Sequence, residues 1–188
     1  KKYKNFDGLN LTWETLEGIV KHNGPFIKKK VPYAIAEYIK NGMDLELDTW
    51  CGPEAQVASL SDDIAYFSHD IEDGIRAHFF TIEDIIKEFS ILKNFKIKSY
   101  EHATFRFKKR MVNEIKRFII SQLIDDLIEE TRKNIKQLNP KSASEVRKLK
   151  RPLINFSKSM KLKIKEIRVF LMHRMYRHWK INIMTAKG

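Results

Sequence analysis

"PEAQVASLSDDIAYFSHDIEDG", residues 53–74, decides the fold class. Proline heads the stretch, where a first-turn residue has no intrahelical use for its N–H, and glycine ends it. Between them Ala55, Val57, Ala58, Leu60, Ile64, Ala65, Phe67 and Ile71 supply apolar faces at the spacing of an α-helix. Apolar residues on most sides predict a buried helix, and the polar residues on it then need partners.

Working outward, the helical pattern repeats. TWETLEGIVKH (12–22) reads as a short helix, capped by Thr12 or Asn10 and stopped by Asn23-Gly24-Pro25. A basic linker, Lys28-Lys29-Lys30, leads to a second short helix over 33–40 and a loop over 41–52. Thr81 and Asp84 have the spacing of a capping box. Residues 102–137 carry a heptad-like series, Phe105, Met111, Ile115, Phe118, Ile119, Leu123, Leu127 and Ile128, which Asn139-Pro140 stops. Residues 141–151 read as a basic surface connection. A last helix runs from about Ser157 into MHRMYRHWKINIM (172–184). With 7 Gly and 5 Pro in 188 residues, few turns are available. The expected class is all-α.

The composition, 43% hydrophobic, is globular and excludes a disordered chain. The length suits one domain with a real core. The net charge of +12 favours polyanionic partners (nucleic acid, nucleotides or an anionic membrane surface) and equally suits a basic surface that serves solubility. The single cysteine, Cys51, excludes an internal disulfide and fits a cytoplasmic protein. No apolar run is long enough to span a bilayer, so no membrane-spanning role is expected. The chain starts at Lys1-Lys2-Tyr3 and ends at Thr185-Ala186-Lys187-Gly188 in a basic helical pattern. Both ends suggest a piece of a longer protein.

Within the opening stretch, Asp62, Tyr66 and Asp70 are spaced i, i+4, i+8 and line one helical stripe about 12 Å long. Two readings stay open on spacing alone. The carboxylates are buried and paired or metal-bound, or the helix is half-exposed and they are solvated. His69-Asp70 is a weak candidate for a metal pair, because adjacent helical residues diverge by about 100°.

Elsewhere, His22 suits a helix C-terminus. Asp125, Asp126, Glu129 and Glu130 suit a solvated face, and Cys51 an inert thiol. His173, Arg174, Arg177 and His178 fit an anion site or a basic helix surface equally well. Lys108-Lys109-Arg110 and Lys148, Lys150, Arg151 add basic clusters.

Three segments carry a resemblance. "GLNLTWETLEGIVKHNGP" (8–25), "EAQVASLSDDIAYFSHDIEDGIRAHFF" (54–80) and "FLMHRMYRHWKIN" (170–182) resemble, in the same order, signature segments of the bacterial dGTPase-like deoxynucleotide triphosphohydrolases of the HD superfamily. The resemblance implies an all-α, HD-domain-like helical bundle, present in part, with long C-terminal helices. It places the end of the phosphohydrolase core at residues 1–100, and a helical region completing the nucleotide pocket at 101–188.

By the same resemblance, Asp62 is the final ligand of a divalent metal (Mg²⁺ or Mn²⁺). Tyr66 and Asp70 contact the sugar and its 3′-hydroxyl, Arg168 binds phosphate and Tyr176 faces sugar or base. The implied reaction converts a dNTP and water to a deoxynucleoside and triphosphate. Implied partners are the dNTP substrate, a dNTP activator and further copies of the chain. The family's first His, its His-Asp doublet and its catalytic His and Glu precede the segment matched by GLNLTWETLEG, where this chain has seven residues. Half of the implied site is thus expected to be missing, which keeps a second function open: a basic helical module that binds nucleotide or nucleic acid.

Overall fold

The structure, a computed structural model, describes residues 3–5, 8–27, 30–95 and 105–186. Lys28, Lys29, residues 102–104 and both chain ends lie outside the described residues, as do the side chains of Phe105 and Lys108. Among the described residues every regular element is helical. The helices are α1 (Trp13–Lys21), α2 (Tyr33–Asn41), α3 (Pro53–Arg76), α4 (Ile82–Glu88), α5 (Phe105–Leu138), α6 (Ala143–Arg147), α7 (Lys158–Leu171) and α8 (Trp179–Ala186). A 3₁₀ turn covers Ser90–Leu92, and a π-helical turn, Met172–Tyr176, follows α7. The all-α expectation holds. Among the described residues no helix is long and apolar enough to cross a membrane.

The chain forms two compact units. The first comprises residues 1–61 and 131–155. Thr12 caps α1 by accepting from the Thr15 N–H, and Gly24, at φ +86°, takes the left-handed conformation that ends the turn after it. The interior of this unit contains a charged knot. The Glu17 carboxylate, 1% exposed, accepts from the Gly52 N–H at 3.1 Å and from Arg147 Nε at 2.6 Å. Its other oxygen meets Lys21 Nζ at 2.6 Å. Lys21 in turn donates to the Glu46 carbonyl and to Thr49 Oγ1. Three polar elements around Glu17 thus offset the cost of burying it. Leu45, Cys51, Val146, Leu153 and Ile154 form the apolar core alongside. Gln56 joins the Cys51 carbonyl to the Ile154 N–H.

The second unit comprises residues 62–130 and 156–188. Ile64, Phe67 and Ile71 of α3, Ile115, Ile119 and Leu123 of α5, and Ile164, Ile167 and Phe170 of α7 are all buried. Phe170 packs edge-on against Phe80 and Phe89, with ring centroids 5.0 and 5.1 Å apart. Thr81 and Asp84 form the expected capping box. Ser157 caps α7, and Asp126 of α5 fixes that cap by accepting from the Ser157 N–H at 2.9 Å and its hydroxyl at 2.6 Å.

Four sequence expectations need correction. Helix α3 is not buried on most sides: Val57 is 45% and Tyr66 55% exposed, and Ala58 and Ala65 are exposed too. Alanines at those positions tolerate solvent as readily as a core. Ile128 also faces outward, at 46% exposure. Residues 141–151 include the short helix α6, capped by Ser142, whose Val146 is buried. Asp126 is an architectural acceptor and not part of a freely solvated face.

Candidate functional site

The candidate site is built on the part of α3 that lies in the second unit. Steps of four residues overshoot a full turn by about 40°, so the stripe Asp62, Tyr66, Asp70 winds around the helix. It runs from solvent into the core: Asp62 is exposed, Tyr66 is 55% exposed and Asp70 only 7%. Neither reading of the stripe applied to all three residues.

Tyr176 meets the buried end of this stripe. Its hydroxyl donates to Asp70 Oδ2, and Tyr66 lies close enough to influence the same hydroxyl. Burial raises the Asp70 carboxyl above its ordinary range, while the Tyr176 hydrogen bond pulls it the other way. Burial first, and then the bonded Asp70, push the Tyr176 phenol well above its ordinary range. At neutral pH, therefore, Tyr176 is a fixed donor and Asp70 an acceptor with a second oxygen not used by that bond.

Arg168 approaches α3 one turn nearer the exposed end. Its Nη2 lies 2.9 Å from Asp63 Oδ2 and its guanidinium lies over the Phe67 ring at 5.4 Å. Asp63, Phe67 and Asp70 form a second stripe, at i, i+4, i+7, that meets the one beginning at Asp62 at their shared Asp70. The π turn makes the match. Arg177 N–H donates to the Met172 carbonyl, five residues back, at 3.0 Å. One α turn plus one π turn takes about eight residues where two α turns take about seven. Tyr176, eight residues after Arg168, thus returns to the side of α7 that bears Arg168. An uninterrupted α-helix would have put Met175 there.

The structure therefore brings Tyr66, Asp70 and Tyr176 together and sets Arg168 beside Asp63. Asp62 stands apart, exposed at the head of the stripe. Among the described residues no three His, Cys, Asp or Glu side chains converge as a metal site, so these residues do not by themselves fit a divalent ion. His69 is exposed and Asp70 buried, so the two point to different surroundings and do not pair on one ion.

His22 plays the structural part expected of it, with Nδ1 2.7 Å from the Ile19 carbonyl at the end of α1. Cys51 is buried, and burial followed by the nearby Glu17 charge raises its thiol above the ordinary value. Of the basic C-terminal group, His173 and Arg174 border an open groove of about 590 Å³ on the outer side of α7, with Lys165, Glu166 and Glu88. His178 instead packs on Phe79, ring centroids 4.5 Å apart.

Sequence reading missed Asp63, Phe67 and the π turn. The first two were detectable as a second stripe at helical spacing. Nothing in MHRMY marks the turn as π.

Comparison with known proteins gives one consistent result. The chain is similar along its entire length, at 44% identity, to a deoxyguanosinetriphosphate triphosphohydrolase-like protein of Parvibaculum lavamentivorans, of which it covers 48%. Proteins of the same description from Caulobacter sp. and Bradyrhizobium sp. are 41% and 44% identical over 97% and 96% of the chain, which covers 46% of each. The chain thus spans about half the length of the curated relatives it matches. No family model matches it.

Proposed function

The chain belongs with the deoxyguanosinetriphosphate triphosphohydrolase-like proteins, and on that premise we propose that its second unit forms the sugar-facing and phosphate-facing wall of a dNTP triphosphohydrolase pocket. The observation that carries this reading is the Tyr66–Asp70–Tyr176 group, in which the π turn after α7 brings a tyrosine hydroxyl onto the buried carboxylate of α3 beside a second tyrosine. The reaction of the whole protein is then a dNTP and water giving a deoxynucleoside and inorganic triphosphate.

In this reading Asp70 accepts a hydrogen bond from the sugar 3′-hydroxyl with the oxygen that Tyr176 leaves free. Tyr176, held protonated, fixes that carboxylate, and Tyr66 flanks the sugar on the solvent side and crowds a 2′-hydroxyl. Arg168 meets the phosphate chain through charge-assisted hydrogen bonds. Asp62 contributes one ligand to a divalent ion. One exposed carboxylate is too few to hold such an ion by itself. The partners in this reading are a dNTP, a second dNTP as activator and further copies of the chain, in the cytoplasm.

The net charge of +12 favours one other reading, a basic module for nucleotide or nucleic acid. Lys148, Lys150 and Arg151 are all exposed. A titration of the isotope-labelled chain separates the two. With dGTP, amide shifts should cluster around Tyr66, Asp70, Arg168 and Tyr176. Shifts centred on Lys148–Arg151 and reproduced by a single-stranded oligonucleotide would favour the basic module and sink the pocket.

A further inference from the structure

Arg168 carries a long, flexible side chain, yet two fixed neighbours hold it. Below it is the Phe67 ring, 4% exposed and therefore immobilised by the core. Beside it is Asp63, whose Oδ2 receives Nη2 at 2.9 Å. Asp63 and Phe67 are one helical turn apart on α3, so their relative positions are set by a rigid backbone.

The Arg168 and Asp63 side chains are 56% and 41% exposed. An ion pair this open adds little to folding stability, so the contact matters more for geometry than for cohesion. It engages one of the five N–H donors of a guanidinium. A free arginine must give up rotamer freedom to meet an anion, whereas one already restrained gives up less.

We propose that Asp63 is a positioning residue, whose carboxylate together with the Phe67 ring holds the Arg168 guanidinium in place for the phosphate chain of the nucleotide. This rests on the pocket reading above and extends it to a residue that does not itself touch the nucleotide. It also opposes the simplest electrostatic expectation. A bare negative charge beside a phosphate site repels phosphate, so its removal would strengthen binding. Positioning requires the opposite outcome.

The test uses the 188-residue chain labelled with ¹⁵N, with Arg168→Lys identifying the Arg168 Nε–H resonance by its loss. In the wild type that resonance should be resolved and slow to exchange with water. In Asp63→Ala it should broaden into exchange while the backbone amides of α3 and α7 stay in place. Asp63→Asn, which keeps an oxygen acceptor, should retain it.

Titrations with dGTP and with deoxyguanosine then give the contribution of the phosphates. The dGTP-to-deoxyguanosine affinity ratio should fall about tenfold in Asp63→Ala, the worth of one charge-assisted hydrogen bond, and largely recover in Asp63→Asn. An unchanged Arg168 resonance in Asp63→Ala overturns the proposal, and so does an affinity ratio that holds or rises. A wild type that binds dGTP no better than deoxyguanosine overturns the pocket reading and the phosphate half of this proposal together. Loss of the Arg168 resonance in Asp63→Ala would then leave Asp63 as its restraint alone.

Discussion

Replacing Tyr176 by Phe removes one hydroxyl and no ring volume, so it isolates the hydrogen bond to Asp70. Where Asp70 is protonated, the lost bond is of the neutral kind, worth about 1 kcal/mol. Where Asp70 is ionised, the variant leaves a carboxylate that is 7% exposed without this donor, a loss of about 1.5–3 kcal/mol. The destabilisation should therefore grow by about 1 kcal/mol between acid and neutral pH, which corresponds to a rise of roughly one unit in the Asp70 pKa.

The sign follows from the native state. The folded Asp70 pKa already lies above its unfolded value. Its stabilising contribution is thus complete below the unfolded pKa and fades as pH rises through the folded one. Removing Tyr176, whose bond lowers that pKa, extends the loss to higher pH. Carboxyl ¹³C titration of Asp70 gives the pKa, and amide exchange at Ile167, fully buried in α7, gives the stability of the unit. A penalty that stays flat with pH, or an Asp70 pKa unchanged by the substitution, would refute the reasoning.

Three further outcomes are expected. Glu17→Gln leaves Lys21 and Arg147 without their shared counter-charge and should destabilise the first unit by about 3–5 kcal/mol. Adding Lys21→Met should restore part of this, read by amide exchange in α1. Gly74→Ala would drive a methyl into the Phe80 ring, which is buried against Phe170, at a cost of about 1–3 kcal/mol. Phe80→Leu in the same chain should relieve it, as thermal unfolding would show. Cys51 should react with a thiol reagent only after denaturant is added, because its thiol is both buried and held protonated. Rapid labelling of the native chain would contradict that burial.

The legible parts of the sequence were those written in local chemistry. Proline at the head of α3, Thr12 before α1, Thr81 with Asp84 and Asn139 after α5 are signals a helix gives within one turn, and the structure uses each of them. The class of the fold followed from these. Burial was less legible, because Val57, Ala58 and Ile128 fit the apolar period and yet face solvent. Periodicity states which residues could be inside, and only packing states which are. At the site, Asp70 and Tyr176 meet across 106 residues of sequence; the resemblance assigned each of them to the nucleotide, and no spacing rule joins them to one another. The Asp63 contact to Arg168 was hidden for a different reason: Asp62 and Asp63 are chemically identical neighbours, and only the azimuth of α7 distinguishes them.

The π turn at Met172–Tyr176 amounts to a one-residue change of length stored inside a helix. Closing it to a plain α turn at unchanged length would swing everything after it by about 80°, and deleting one residue as well would swing it back. The first change alone is the disruptive one. Tyr176 and the whole of α8 would be re-aimed while α7 and its core contacts stayed in place. The spacing between the arginine and the tyrosine of this wall is thus an adjustable dimension. Counted in residues, it reads as a gap or an insertion when two such proteins are aligned; counted in turns, it is two in either case.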